Sequence, residues 1–134
     1  MEETKKFIIE ALEKFFRQEK DVLFCYLFGS YATGHAREKS DVDIALYLDP
    51  AKKQDQFEKR LALIAELSGL LKKEADVVVL NTASPFLKHV VLKEGMLLFD
   101  RDPSKRIDFE LKATNEYFDY KPTLELYNQR LLAS

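Results

Sequence analysis

Two aspartates, Asp41 and Asp43, alternate around Val42. A Gly29-Ser30 pair precedes them, with ten residues between Ser30 and Asp41. On a strand, alternate residues share a face. Asp41 and Asp43 would then lie side by side with Ala45 and Tyr47, while Ile44, Leu46 and Leu48 turn into the core of a half-buried strand. Two close carboxylates repel each other unless a proton or a cation sits between them. Mg²⁺ takes one or two carboxylates together with phosphate oxygens and water. Glycine lets the backbone approach a phosphate closely, and Ser30 adds a hydroxyl and an amide. If Ser30 opens a short helix reaching Ala36, its free N–H groups face the same anion. Asp76 heads the otherwise apolar run Asp-Val-Val-Val-Leu, where burying an acid is costly without a partner. It is expected to complete a two-metal site, as second-metal ligand and general base toward an attacking hydroxyl. The plainer alternatives are a simple strand exit at Gly29-Ser30, a turn capped by Ser40 and Asp41, and a solvated aspartate at a strand start.

The elements that must position these residues follow from periodicity. Residues 3–19 carry Phe7, Ile8, Ala11, Leu12, Phe15 and Phe16, the stripe of one helix. The run 22–28 is apolar on both parities and reads as a central strand covered on both faces. A second strand over 42–48 stops at Asp49-Pro50. A long amphipathic helix is predicted over 51–73, with Phe57, Leu61, Ile64, Leu67, Leu70 and Leu71 as its apolar set. A short strand follows at 76–80. Ser84-Pro85 caps a helix that runs to about Glu94, with Gly95 as a left-handed exit. A fourth strand spans 96–99, and two helical stretches broken near Asp119–Pro122 end the chain. The expectation is an α+β fold: a mixed sheet of about four strands with helices packed on it, in one domain over 1–134 with a C-terminal helical extension from about 103.

Composition narrows the function classes. The chain has 134 residues, 46% of them apolar and 33% charged, which fits a globular domain with its own core. The formal net charge of −2 argues against a general nucleic-acid binder. Cys25 lies inside an apolar run and reads as a small buried hydrophobe. A lone cysteine forms no internal disulfide. No apolar stretch approaches the ~20 residues of a membrane span. The start Met-Glu-Glu-Thr-Lys-Lys lacks the apolar centre of a signal peptide. A cytoplasmic location is expected, with no membrane contact.

Gly29-Ser30 followed by Asp41-Val42-Asp43 resembles the signature of the polymerase-β-like nucleotidyltransferases. The small size, Ser40-Asp41 and the late Glu94-Gly95-Met96-Leu97-Leu98-Phe99 run resemble its minimal nucleotidyltransferase branch, the antitoxin half of HEPN/MNT toxin–antitoxin pairs. The resemblance implies the polymerase-β-like fold and transfer of AMP from ATP to a tyrosine of a HEPN ribonuclease toxin. It also implies that Gly29 and Ser30 hold the triphosphate, that Asp41 and Asp43 hold Mg²⁺, and that Asp76 is the third carboxylate. Relatives often carry arginine where this chain has Thr33. Threonine cannot make the bidentate phosphate contact of arginine, and Arg37 and Lys39 read as solvated loop charges.

The remaining polar and aromatic residues are weaker candidates. His35 reads as a surface histidine in the motif loop, His89 as structural or exposed, and Lys72-Lys73-Glu74 as a solvated helix end. No zinc-ligand cluster stands out. Phe109, Tyr117, Phe118, Tyr120 and Tyr127 either pack the last helices on the sheet or form a protein-binding surface. The motif chemistry uses about half of the chain and leaves no second domain to grip an acceptor. The acceptor is therefore expected on a partner protein, although a homodimer would serve equally. Two rival readings are an adenylyltransferase with a small-molecule acceptor, and an antitoxin that masks its toxin by binding alone.

Overall fold

The computed structural model describes residues 2–133, apart from the side chains at 120, 123–124, 127–128 and 131–133. Helix α1 (Glu2–Gln18) leads into strand β1 (Val22–Phe28), a single helical turn α2 (Ser30–Thr33) and strand β2 (Val42–Leu48). Helix α3 (Gln56–Leu71), strand β3 (Ala75–Val79), helix α4 (Pro85–Glu94), strand β4 (Met96–Asp100) and helix α5 (Pro103–Ala133) follow. The four strands form one mixed sheet in the order β3-β2-β1-β4. β2 and β3 are parallel and the other pairs antiparallel. This is the mixed, helix-covered sheet that the periodicity predicts.

β1 is buried along almost its whole length, as its unbroken apolar run requires. A register irregularity between Val22 and Phe24 shifts the parity at its start. One face of the sheet meets α1 and α3 in the larger core, where Ile8, Leu12 and Phe16 stack on Ile44, Leu46, Leu63 and Leu67. Cys25 is buried in this core, and desolvation pushes its thiol pKa up, so it is inert. The opposite face carries a smaller cluster of Phe24, Tyr26, Ala45, Leu80 and Val91, with Tyr47 and Phe109 packed against it. Side chains close this second layer. Tyr26 Oη donates to Glu110 Oε1 at 2.8 Å, and Arg106 bridges Glu110 and Asp100. Asn81 bonds both backbone groups of Leu48 at 2.8 and 2.9 Å and so extends the sheet edge beyond β3.

Several boundaries differ from expectation. α3 begins at Gln56, not residue 51, because Asp55 accepts from the amides of Phe57 and Glu58 and the preceding segment is a turn held by Asp49. Its buried stripe is Leu63, Leu67 and Leu71, whereas Phe57, Leu61 and Leu70 are exposed. β2 is not half-buried: Ala45 has no exposed surface, because α4 and α5 cover the far half of its second face. Gly95 has φ −79° and is no left-handed exit. A Cβ there would overlap the carbonyl of Val91, so glycine is required by close approach. α5 is one helix that runs through Pro122 instead of breaking there.

Candidate active site

Gly29 follows β1 and caps α2 at φ +71°, ψ −152°, a conformation that side chains resist. The amides of Ala32 and Thr33 both reach its carbonyl at 3.1 Å. Asp43 lies across the antiparallel pair from Phe28, which brings its carboxylate onto Gly29. A Cβ on Gly29 would overlap Asp43 Oδ2 and lie 3.1 Å from Cγ. The glycine is thus needed twice, for its backbone angles and for the space that Asp43 fills. Ser30 is partly exposed beside it, and the neighbouring Tyr31 roots α2 in the larger core. α2 ends at Thr33, short of Ala36.

Asp76 is the in-register neighbour of Asp43 on the adjacent parallel strand, so both side chains leave the same face of the sheet. Asp41 sits one residue before β2 and is exposed. Burial raises the Asp43 carboxyl above the usual aspartate range, and the charges of Asp76 and then Asp41 raise it further. Asp43 thus feels the charge of both other acids. The next pair inward, Ala45 and Val78, already belongs to the smaller cluster, so the acids mark the line where its cover ends.

The donor set suits a hard divalent cation. It offers carboxylate oxygens only, in mutual repulsion that a cation would relieve, beside backbone that can approach phosphate. Among the described residues, no three histidine, cysteine or acidic side chains converge tightly enough to hold a metal as they stand. Asp76 also has partners of its own. Its Oδ1 accepts from Arg60 Nη2 at 3.1 Å and from the Val77 amide at 2.9 Å, while the side chain stays 54% exposed.

The other candidates lie at the margin. Thr33 Oγ1 is 3.3 Å from the Gly29 carbonyl and 3.0 Å from His35 Nδ1, and both side chains are exposed. Arg37 lends its backbone amide to Ser40 Oγ at 2.7 Å. Lys73 Nζ donates to the Glu38 carbonyl at 2.6 Å, tying the motif loop to the end of α3, so this lysine is not merely solvated. His89 is structural: it stacks on Tyr117 with centroids 3.7 Å apart. Phe109 packs in the smaller cluster and Phe118 is exposed, whereas Tyr120 and Tyr127 lie outside the described side chains. Sequence reasoning missed Arg60, since an arginine on an amphipathic helix looks like any solvated charge until its strand partner is known.

Comparison with known proteins follows the same geometry. The family model described as polymerase beta, nucleotidyltransferase matches residues 10–104. The chain belongs to this family. Its motif stretch, from Gly29 to Asp76, lies wholly inside the match. Over 92 residues, 69% of this chain, it is 33% identical to the protein adenylyltransferase MntA of Shewanella oneidensis, and that alignment spans 63% of MntA. It is 36% identical over 70 residues, 52% of this chain, to a Methanocaldococcus jannaschii protein whose name proposes protein adenylyltransferase activity, spanning 72% of that protein. Among solved structures, a toxin–antitoxin crystallised with AMP-PNP aligns over 92% of this chain and 98% of its own, with TM-score 0.79 and 26% identity. A tri-AMPylated Shewanella oneidensis HEPN toxin in complex with its MNT antitoxin aligns over 96% of this chain and 98% of its own. At 23% identity and TM-score 0.75, that likeness shows the fold alone. Among the described residues, no helix is long and apolar enough to cross a membrane.

Proposed function

We propose that this nucleotidyltransferase is a Mg²⁺-dependent antitoxin that transfers AMP from ATP to a tyrosine of a HEPN-type toxin and so silences it. The observation that carries the reading is Asp43 seated on Gly29 and flanked by Asp41 and Asp76, a carboxylate cluster against a turn that backbone and phosphate can share. The likeness to a toxin–antitoxin with AMP-PNP and to a protein adenylyltransferase supports both the nucleotide and the kind of acceptor.

In this mechanism Gly29 and Ser30 hold the triphosphate through close backbone approach and the serine hydroxyl. Asp41 and Asp43, with Asp76, would hold Mg²⁺, which when bound offsets the charge developing on the phosphate oxygens. The tyrosine oxygen attacks the α-phosphorus and forms the new P–O bond as the bond to the bridging α–β oxygen breaks and pyrophosphate leaves. Asp76 accepts the phenolic proton. A masking antitoxin with an idle site is the reading that Thr33 favours, since its hydroxyl lies against Gly29 and His35 and offers no cation to phosphate.

The test is incubation with labelled ATP, Mg²⁺ and the product of the neighbouring gene, followed by intact-mass spectrometry. An AMP adduct on the partner, absent with Asp41→Asn/Asp43→Asn, is the expected result. Binding and silencing of the partner without any adduct would leave masking in its place.

A further inference from the structure

We infer that Arg60, on α3, is a positioning residue that sets which oxygen of Asp76 the active site receives; this rests on the adenylyltransferase reading above. Arg60 reaches the outer edge of β3 and grips two consecutive residues at once. Nε donates to the Val77 carbonyl at 2.6 Å and Nη2 to Asp76 Oδ1 at 3.1 Å. The same Oδ1 accepts the Val77 amide at 2.9 Å. One carboxylate oxygen is therefore held by two donors, and the planar guanidinium, anchored by Nε on the Val77 carbonyl, aims Nη2 at that oxygen. Oδ2 is the oxygen left for a metal or for the acceptor proton, and Asp76 is the in-register neighbour of Asp43.

A charge pair alone would not need arginine. The grip uses two nitrogens of one planar group on a backbone carbonyl and a carboxylate, which a lysine ammonium cannot copy with the same angles. Arg60 is also about one-third exposed, so attraction to Asp76 is weakened by water, and its use lies in direction more than in binding strength. Groups that orient metal-site ligands behave this way, and their loss typically costs about 10–100-fold in activity or metal affinity.

The experiment compares wild type, Arg60→Gln, Arg60→Lys, Asp76→Asn and the Arg60→Gln/Asp76→Asn double variant. The readouts are kcat and KM for ATP in AMP transfer, Mn²⁺ binding in the presence of AMP-PNP by electron paramagnetic resonance, and melting temperature. We expect Arg60→Gln to lower kcat about tenfold with KM for ATP nearly unchanged, to weaken Mn²⁺ binding, and to be partly rescued by Arg60→Lys. Arg60→Gln should have no further effect on either readout in the Asp76→Asn background, because Arg60 acts through Asp76. The inference is overturned by wild-type kcat and Mn²⁺ affinity in Arg60→Gln, by tighter Mn²⁺ binding in that variant, or by an equal loss with and without Asp76. If the wild type transfers no AMP, the adenylyltransferase reading fails, and the Mn²⁺ comparison still decides the role of Arg60.

Discussion

The two faces of the sheet are built to different standards. The face under α1 and α3 is covered from β1 to β3 by one continuous core that includes Ile44, Leu46 and Val77. On the other face, α4 and α5 reach only as far as Ala45 and Val78, and the next register pair is Asp43 and Asp76. The same two strands thus serve a packed interior on one side and a polar site on the other. The full face supplies stability, and the incomplete one leaves room for charge that no core could tolerate unpaired. Substitutions on the two faces should therefore separate stability from activity.

The sharpest separation is expected at Asp43. Asp43→Asn should lower AMP transfer at least about a thousandfold, as loss of a central catalytic group does. Its melting temperature should hold or rise, because a repelled charge is removed. A melt that fell in step with activity would erase the contrast. On the covered face, Leu46→Ala should cost about 3–5 kcal/mol in denaturant unfolding, while Leu80→Ala in the thinner layer should cost about 2 kcal/mol, since its surroundings can relax. Equal costs would mean that the layers are equally well packed. Gly29→Ala belongs to both sides: strained angles should cost about 1–3 kcal/mol. Displacement of Asp43 should remove most transfer activity, and an active, stable Gly29→Ala protein would contradict the close contact.

The smallest effect concerns Asp21, bonded to Lys59 and Lys52 outside both faces, which hold its carboxyl below the ordinary value of 3.8. A depressed folded pKa adds stability that is fully present above the unfolded value and is lost as pH falls through the folded one. The melting temperature of Asp21→Asn should therefore stay below that of wild type at neutral pH and approach it only as pH falls below about 4. A constant gap would show that the ion pairs contribute nothing.

The strands and the acid pair were legible because short periods and local chemistry decide them. The unbroken apolar run of β1 and the alternation of β2 need no partner to be read. Legibility failed where a distant contact decides. Gly95 looked like a helix exit, but its role comes from Val91 and Leu27 closing around it. Phe57, Leu61 and Leu70 fit an apolar stripe, yet the sheet lies against Leu63, Leu67 and Leu71. Pro122 suggested a break that α5 does not take, although a proline there leaves the Phe118 carbonyl without its helical donor. Arg60 was invisible for the same reason, since its meaning lies on a strand that follows it in the chain.

β3 is an edge strand, and three of its outward backbone groups are already taken. The Val42 amide bonds the Glu74 carbonyl, which in a parallel ladder turns Ala75 and Val77 outward. Ser68 takes the Ala75 amide, Asp76 the Val77 amide and Arg60 the Val77 carbonyl. These side chains occupy part of the hydrogen-bonding edge that a foreign strand would need to add itself to the sheet. By holding the Val77 carbonyl and amide, Arg60 and Asp76 therefore also help to keep the molecule from sticking to its own kind. Variants made to silence the chemistry at Asp76 should be checked by light scattering before their inactivity is ascribed to chemistry at all.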